Sequence, residues 1–210
     1  MKITKDRIKE LYADKRYQSY FDVGLFFVLI FSFHILYVIW NEYMDYWPIK
    51  DTVYKLFAWA SSLLYDQSTW TLDNICDMHY WNEDKTIYFW NYHGYDSRVT
   101  VAPECTSLKQ WMHWLFLMLI FPGPWKHKAW YIPVGLVIIE WTNVVRICGV
   151  LLMQVFWPNI HIHLFGNDIN TFHLAHDYIF KVFFYFIIFL MWVLWVEKFY
   201  NPSIKNKQHE

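Results

Sequence analysis

AWYIPVGLVIIEWTNVVRICGVLLMQVFW, residues 129–157, is apolar along almost its whole length and stops at Pro158-Asn159. A helix crosses a bilayer with about 18 or more apolar residues at about 1.5 Å each, and this run exceeds that length. Inside it sits Arg146, although a guanidinium at the bilayer centre costs about 2.5–3.5 kcal/mol on insertion scales. An arginine in that position requires a counter-charge, a water-filled cavity or a function. Asn143 lies three residues earlier on the same helix face, and Glu140 three before that. Glu140 or another acid is the structural alternative, as an ion-pair partner for Arg146. Arg146 is also 11 residues before Trp157, or about 16 Å at helical rise. A site at the membrane surface therefore needs this helix to project beyond the lipid, or a funnel into the outer leaflet.

Three further apolar runs flank it, at residues 21–40, 105–121 and 177–196. The run 105–121 is the shortest and is closed by Pro122-Gly123-Pro124, which break a helix. The expected fold is thus an all-α polytopic membrane protein with about four spans. Its first run lacks a small-residue cleavage site and reads as an anchor rather than a cleaved signal.

Loop charges orient these spans by the positive-inside rule. Lys2, Lys5, Arg7, Lys9, Lys15 and Arg16 precede the first run, Lys126 and Lys128 separate the second and third, and Lys198, Lys205 and Lys207 follow the fourth. Residues 41–104 are instead acidic, and residues 158–175 hold no Lys or Arg. Every loop agrees with cytoplasmic termini (1–20 and 197–210) and two outer loops, at a cell membrane.

Composition supports this class. The chain of 210 residues is 56% hydrophobic and 23% aromatic, with only 18% charged. Mean hydropathy is just +0.11, so apolar blocks alternate with polar ones. A net charge of −1 argues against nucleic acid as a partner. Three cysteines without a CxxC indicate neither a zinc ribbon nor a disulfide framework.

The outer loop 41–104 is too long for a plain connector. Asp51 is placed to cap a surface-lying or docked amphipathic helix over 51–64. Beyond it, Thr86–Tyr92 and Ser97–Val101 are rich in β-branched and aromatic residues around His93-Gly94-Tyr95-Asp96. That pattern predicts a β-hairpin over 86–102 delivering the chain to Cys105.

Cys105 falls where an outer loop becomes a membrane helix. Helix-start amides and Lys109, one turn on, both favour a thiolate, although an isolated cysteine at a helix boundary is ordinarily just a small apolar residue. His173 and His176 close the second outer loop, and an imidazole titrating near neutrality suits proton transfer. With His161 and His163 they also suggest a metal site, a weak pattern without the helical pair of H-E-x-x-H. Charge-derived topology puts Cys105, the outer end of the Arg146 helix and His176 on one side of the membrane. A nucleophile, a cation for an oxyanion and a proton carrier are what acyl transfer requires.

Three short motifs carry a resemblance: Ala102-Pro103-Glu104-Cys105-Thr106-Ser107-Leu108, then Asn143-Val144-Val145-Arg146-Ile147, then His176-Asp177-Tyr178-Ile179-Phe180-Lys181. In this order on successive spans, over about 86–199, they resemble the exosortase/archaeosortase family, with Thr106-Ser107 in place of the commoner Ser-Gly. The resemblance implies a cysteine transpeptidase that cleaves C-terminal sorting signals of secreted proteins at the outer membrane face. Such a substrate carries a short motif, a transmembrane helix and a basic tail, and a lipid or glycan is a possible acceptor. It further implies Cys105, Arg146 and His176 as catalytic residues, with His173 the alternative proton carrier, and no metal or organic cofactor. Two other readings stay open: a non-catalytic membrane subunit with Arg146 as structural glue, and a metal-dependent membrane enzyme using His161, His163, His173 and His176. A Cys76–Cys105 disulfide in an oxidising compartment would block the nucleophile.

Overall fold

The computed structural model describes residues 15–76, 79–89, 97–157, 160–164 and 167–202. It is mostly helical, and three helices are long and apolar enough to cross a membrane, within Tyr20–Tyr43, Trp125–Phe156 and Thr171–Tyr200. They belong to α1 (Lys15–Tyr43), α4 (Trp125–Phe156) and α5 (Thr171–Tyr200). Between α1 and α4 lie α2 (Lys50–Thr71), strands β1 (Tyr80–Glu83), β2 (Thr86–Phe89) and β3 (Ser97–Thr100), and α3 (Leu108–Ile120). Strands β4 (His161–Leu164) and β5 (Asn167–Asn170) pair antiparallel between α4 and α5.

α3 has 13 residues, about 20 Å at helical rise, and its helix begins three positions after Cys105 rather than at it. Its start is delayed because Pro103 opens a separate 3₁₀ turn, Pro103–Cys105, and Thr106 then returns to an extended conformation. The dipole and free amides of α3 therefore act on residues 107–108 and do not reach Cys105 as the sequence suggests. At the other end α5 begins at Thr171, ahead of the expected 177. Its entry is fixed by Asn170, whose side chain accepts from His173 N at 2.9 Å, an N-cap contact.

α2 extends past the expected residue 64 and runs into a π turn at Leu72–Cys76. Polar residues beyond 64 are absorbed within it. Ser68 Oγ donates to Leu64 O at 2.7 Å and Thr71 Oγ1 to Gln67 O at 2.8 Å, so the hydroxyls satisfy themselves on the preceding turn. Asp51 makes no side-chain cap; it sits in the first turn, where its charge suits the helix dipole.

β2 pairs antiparallel with β3, Thr86 opposite Thr100 and Phe89 opposite Ser97. Residues 90–96, where the turn is expected, lie outside the described residues. A further strand, β1, pairs with the other side of β2. Asp84 and Lys85 join them with φ of 45° and 58°, a two-residue turn whose twist matches the strands. Lys85 Nζ donates to Ser61 Oγ at 3.0 Å, tying that turn onto α2.

The interior divides into two clusters, and α4 threads both. One gathers Phe26, Trp114, Leu117, Phe121, Ile139, Phe184, Trp192 and Trp195 from α1, α3, α4 and α5. The other gathers Leu64 and Leu72, the sheet residues Ile87, Phe89, Val99 and Val101, and Val144, Ile147, Cys148 and Leu151 of α4. α5 likewise gives Ala175 to the second and Phe184 onward to the first. The junction is marked by a layer of buried polar side chains, Thr106, Ser107, Glu140, Thr142 and Asn143. Such groups are costly to bury unless hydrogen-bonded.

Candidate active site around Cys105

Cys105 closes the 3₁₀ turn, its N–H donating to Ala102 O at 2.9 Å and its Sγ to Thr100 O at 3.8 Å. Thr106 Oγ1 donates back to Pro103 O at 2.9 Å, so the turn is braced on both sides of the cysteine. The residue is half-buried at the end of β3, while the flanking Thr106 and Ser107 are buried.

α4 grips this turn with three residues at successive three-residue intervals. Glu140 accepts a hydrogen bond from Ser107 Oγ. Asn143 Nδ2 donates to Cys105 O at 2.9 Å, and Arg146 Nη2 donates to the same oxygen at 3.2 Å. A helix turns about 300° in three residues, so the three side chains spiral slightly while still meeting a turn that crosses the helix. Glu140 thus does not pair with Arg146; its carboxylate is taken by Ser107. Asn143 Oδ1 and Arg146 Nε are buried without a hydrogen-bond partner among the described residues. Cys105, Tyr185 and Asp177 all lie close enough to Arg146 to act electrostatically on its guanidinium.

His173 and His176 are brought together by a residue that sequence reasoning passed over. Asp177 Oδ2 meets His173 Nδ1 at 3.0 Å, and Oδ1 meets His176 Nδ1 at 2.9 Å. His176 also stacks on Phe172, with 5.4 Å between ring centroids and 8° between planes. The sequence signal for Asp177 was its spacing from His173, four positions along one helix face. Arg146 is hydrogen-bonded to the cysteine turn through Cys105 O and has an electrostatic interaction with Asp177.

Lys109 Nζ lies 4.6 Å from the Tyr37 ring centroid. It lines a cavity of about 540 Å³ between α1, α2 and the cysteine turn, together with Tyr37, Tyr54, Phe57, Glu104 and Gln110. His161 and His163 are exposed on β4, and among the described residues no three His, Cys, Asp or Glu side chains converge on a metal position. Cys76, Cys105 and Cys148 are all free thiols, and Cys148 Sγ donates to Ser68 O at 3.7 Å.

Comparison with protein-family models gave no match, and neither the curated proteins nor the solved structures yielded a similar chain.

Proposed function

We propose that the protein is a membrane-embedded cysteine transpeptidase acting on C-terminal sorting signals at the outer face of a cell membrane. One observation carries this reading: Arg146, from the middle of an apolar helix, and Asn143 converge on Cys105. A guanidinium taken out of water has a desolvation cost, and here it is directed at the main-chain oxygen of a half-buried cysteine. In the reaction, the Cys105 thiolate attacks a substrate peptide carbonyl and Arg146 faces the oxyanion that forms. The C–N bond then breaks, a proton from the imidazolium of His176 goes to the leaving amine, and a thioester remains. An acceptor amine, on a lipid or glycan, or water attacks the thioester carbonyl, giving its proton to His176 and releasing the Cys105 thiolate.

Helix lengths support a site at the membrane edge. From Trp125 to Arg146, 21 residue steps give about 32 Å; from Tyr178 to Tyr200, 22 steps give about 33 Å. Both match a hydrocarbon core of about 30 Å, and tyrosines and tryptophans favour its two faces. The remaining ten residues of α4 then stand above the lipid, packed on α2 and the sheet. This arrangement relieves the depth difficulty posed by the sequence. In it α3 is a fourth, short span: Phe121 lies against Tyr200, 5.4 Å between ring centroids, so α3 ends level with the far end of α5. The basic loops assign that end to the cytoplasm.

The test is co-expression with a tail-bearing substrate and intact-mass analysis beside Cys105→Ala. Tail loss with the unaltered protein alone supports the reading, and the new terminal mass identifies the acceptor. Equal processing with the variant removes Cys105 as the nucleophile. The reading of Arg146 as structural glue also has an observation in its favour, because its hydrogen bond goes to a main-chain carbonyl.

A further inference from the structure

The two histidines at the head of α5 share one carboxylate, each through Nδ1 and each on a different oxygen. An ionised carboxylate only accepts hydrogen bonds, so both contacts require an Nδ1–H, and each neutral ring keeps its lone pair on Nε2. The cluster forms where the helix is π-wound, over Leu174–Ile179, and single π turns recur at functional sites. Regular α winding turns adjacent side chains away from each other, yet His176 and Asp177, adjacent in sequence, are hydrogen-bonded here. His176 is the more enclosed ring, 31% exposed against 58% for His173, and Phe172 covers one of its faces.

We propose that Asp177 is the positioning residue of the acyl-transfer site, fixing His176 in the Nδ1-protonated tautomer so that Nε2 is the nitrogen that moves protons. His173 is a second imidazole on the same carboxylate, on its more solvent-exposed side. The role rests on the transpeptidase reading; the tautomer does not. In the acylation step the thiol proton passes to Nε2 of His176 and the thiolate forms the C–S bond. As the C–N bond breaks, that proton passes to the amine nitrogen. Asp177 stays ionised throughout. Its hydrogen-bonded partners are His173 and His176 on its own helix, and its charge also acts on Arg146 of α4, which interacts with Tyr185 as well.

The test uses the full chain in detergent with ¹⁵N-labelled histidine, assigned with His173→Gln and His176→Gln. Both rings are expected as Nδ1–H tautomers. In Asp177→Asn the single amide oxygen serves at most one ring, so at least one changes tautomer. The same variant is expected to lose about 10²-fold in kcat with KM unchanged. Asp177→Glu should recover part of the rate. An unchanged His176 tautomer together with an unchanged kcat in Asp177→Asn would overturn the proposal. Tautomers are read from the ring nitrogens, so this outcome is separate from the substrate processing that Cys105→Ala tests.

Discussion

Arg146 donates to the main-chain oxygen of Cys105 across 41 positions of sequence, and Asn143 donates to the same atom. The two bonds are not equivalent in what they leave free. Asn143 alone can hold the carbonyl and leaves a buried acceptor, Oδ1, without a partner among the described residues, whereas Arg146 leaves a buried donor, Nε, and only a donor can serve an oxyanion.

Removing Arg146 therefore separates catalysis from structure. Arg146→Lys is expected to lower processing by about 10²–10³-fold, the usual loss for one oxyanion donor, because an ammonium lacks the planar fork. Asn143 still anchors the turn, so the thermal midpoint in detergent should stay within a few degrees of the unaltered protein. If Arg146 were structural glue alone, the lysine would process at the original rate.

The Ser107–Glu140 contact makes an asymmetric prediction. Both groups are buried, and a buried carboxyl without a partner costs about 1–3 kcal/mol. Ser107→Ala should lower stability by that amount. Glu140→Gln, which still accepts from the hydroxyl, should be milder, and Ser107→Ala with Glu140→Leu should recover much of the loss. Denaturant midpoints of the four proteins check the ordering.

What the sequence made legible was whatever depends on long apolar runs or on single costly residues. Arg146 was conspicuous because a cation stood in 129–157, and it does reach Cys105. The extent of α2 was hidden because Ser68 and Thr71 look like loop residues until their hydroxyls fold back on the helix. β1 was hidden because Asp84-Lys85 lacks the glycine that usually marks a turn with positive φ. Ser107 and Asp177 were passed over for a different reason. Each matters only through its side-chain contacts, Ser107 with Glu140 and Asp177 with His173 and His176, and only the His173–Asp177 spacing hints at one of them.

Gly149 tests how closely α4 and α5 must approach beside the site. A Cβ there would overlap the ring of Phe180, and one at Gly135 would overlap the indole of Trp114. Each alanine is expected to cost about 1–3 kcal/mol by overpacking. Only Gly149→Ala wedges the helices apart between Arg146 and His176. It should therefore lose processing beyond its stability cost, while Gly135→Ala loses stability with processing preserved at low temperature. Parallel loss of activity in both would mean that helix spacing at Phe180 has no special role.

Thiol accessibility tests orientation and the state of the nucleophile together. Cys76 and Cys105 are half-buried and Cys148 is buried at 4% exposure, and alkylation requires a reachable thiolate. In intact cells a membrane-impermeant maleimide should label Cys105 and Cys76 in single-cysteine variants, and Cys148 only after denaturation. Labelling of Cys105 should slow when a tail-bearing substrate is co-expressed, because the thioester and the bound chain both shield Sγ. If Cys105 reacted only in opened membranes, the termini would lie outside and the charge-derived orientation would be inverted. If it failed to react in the unaltered protein but reacted in Cys76→Ser, the two thiols would be joined in the cell, and a reductant would be needed before the first turnover.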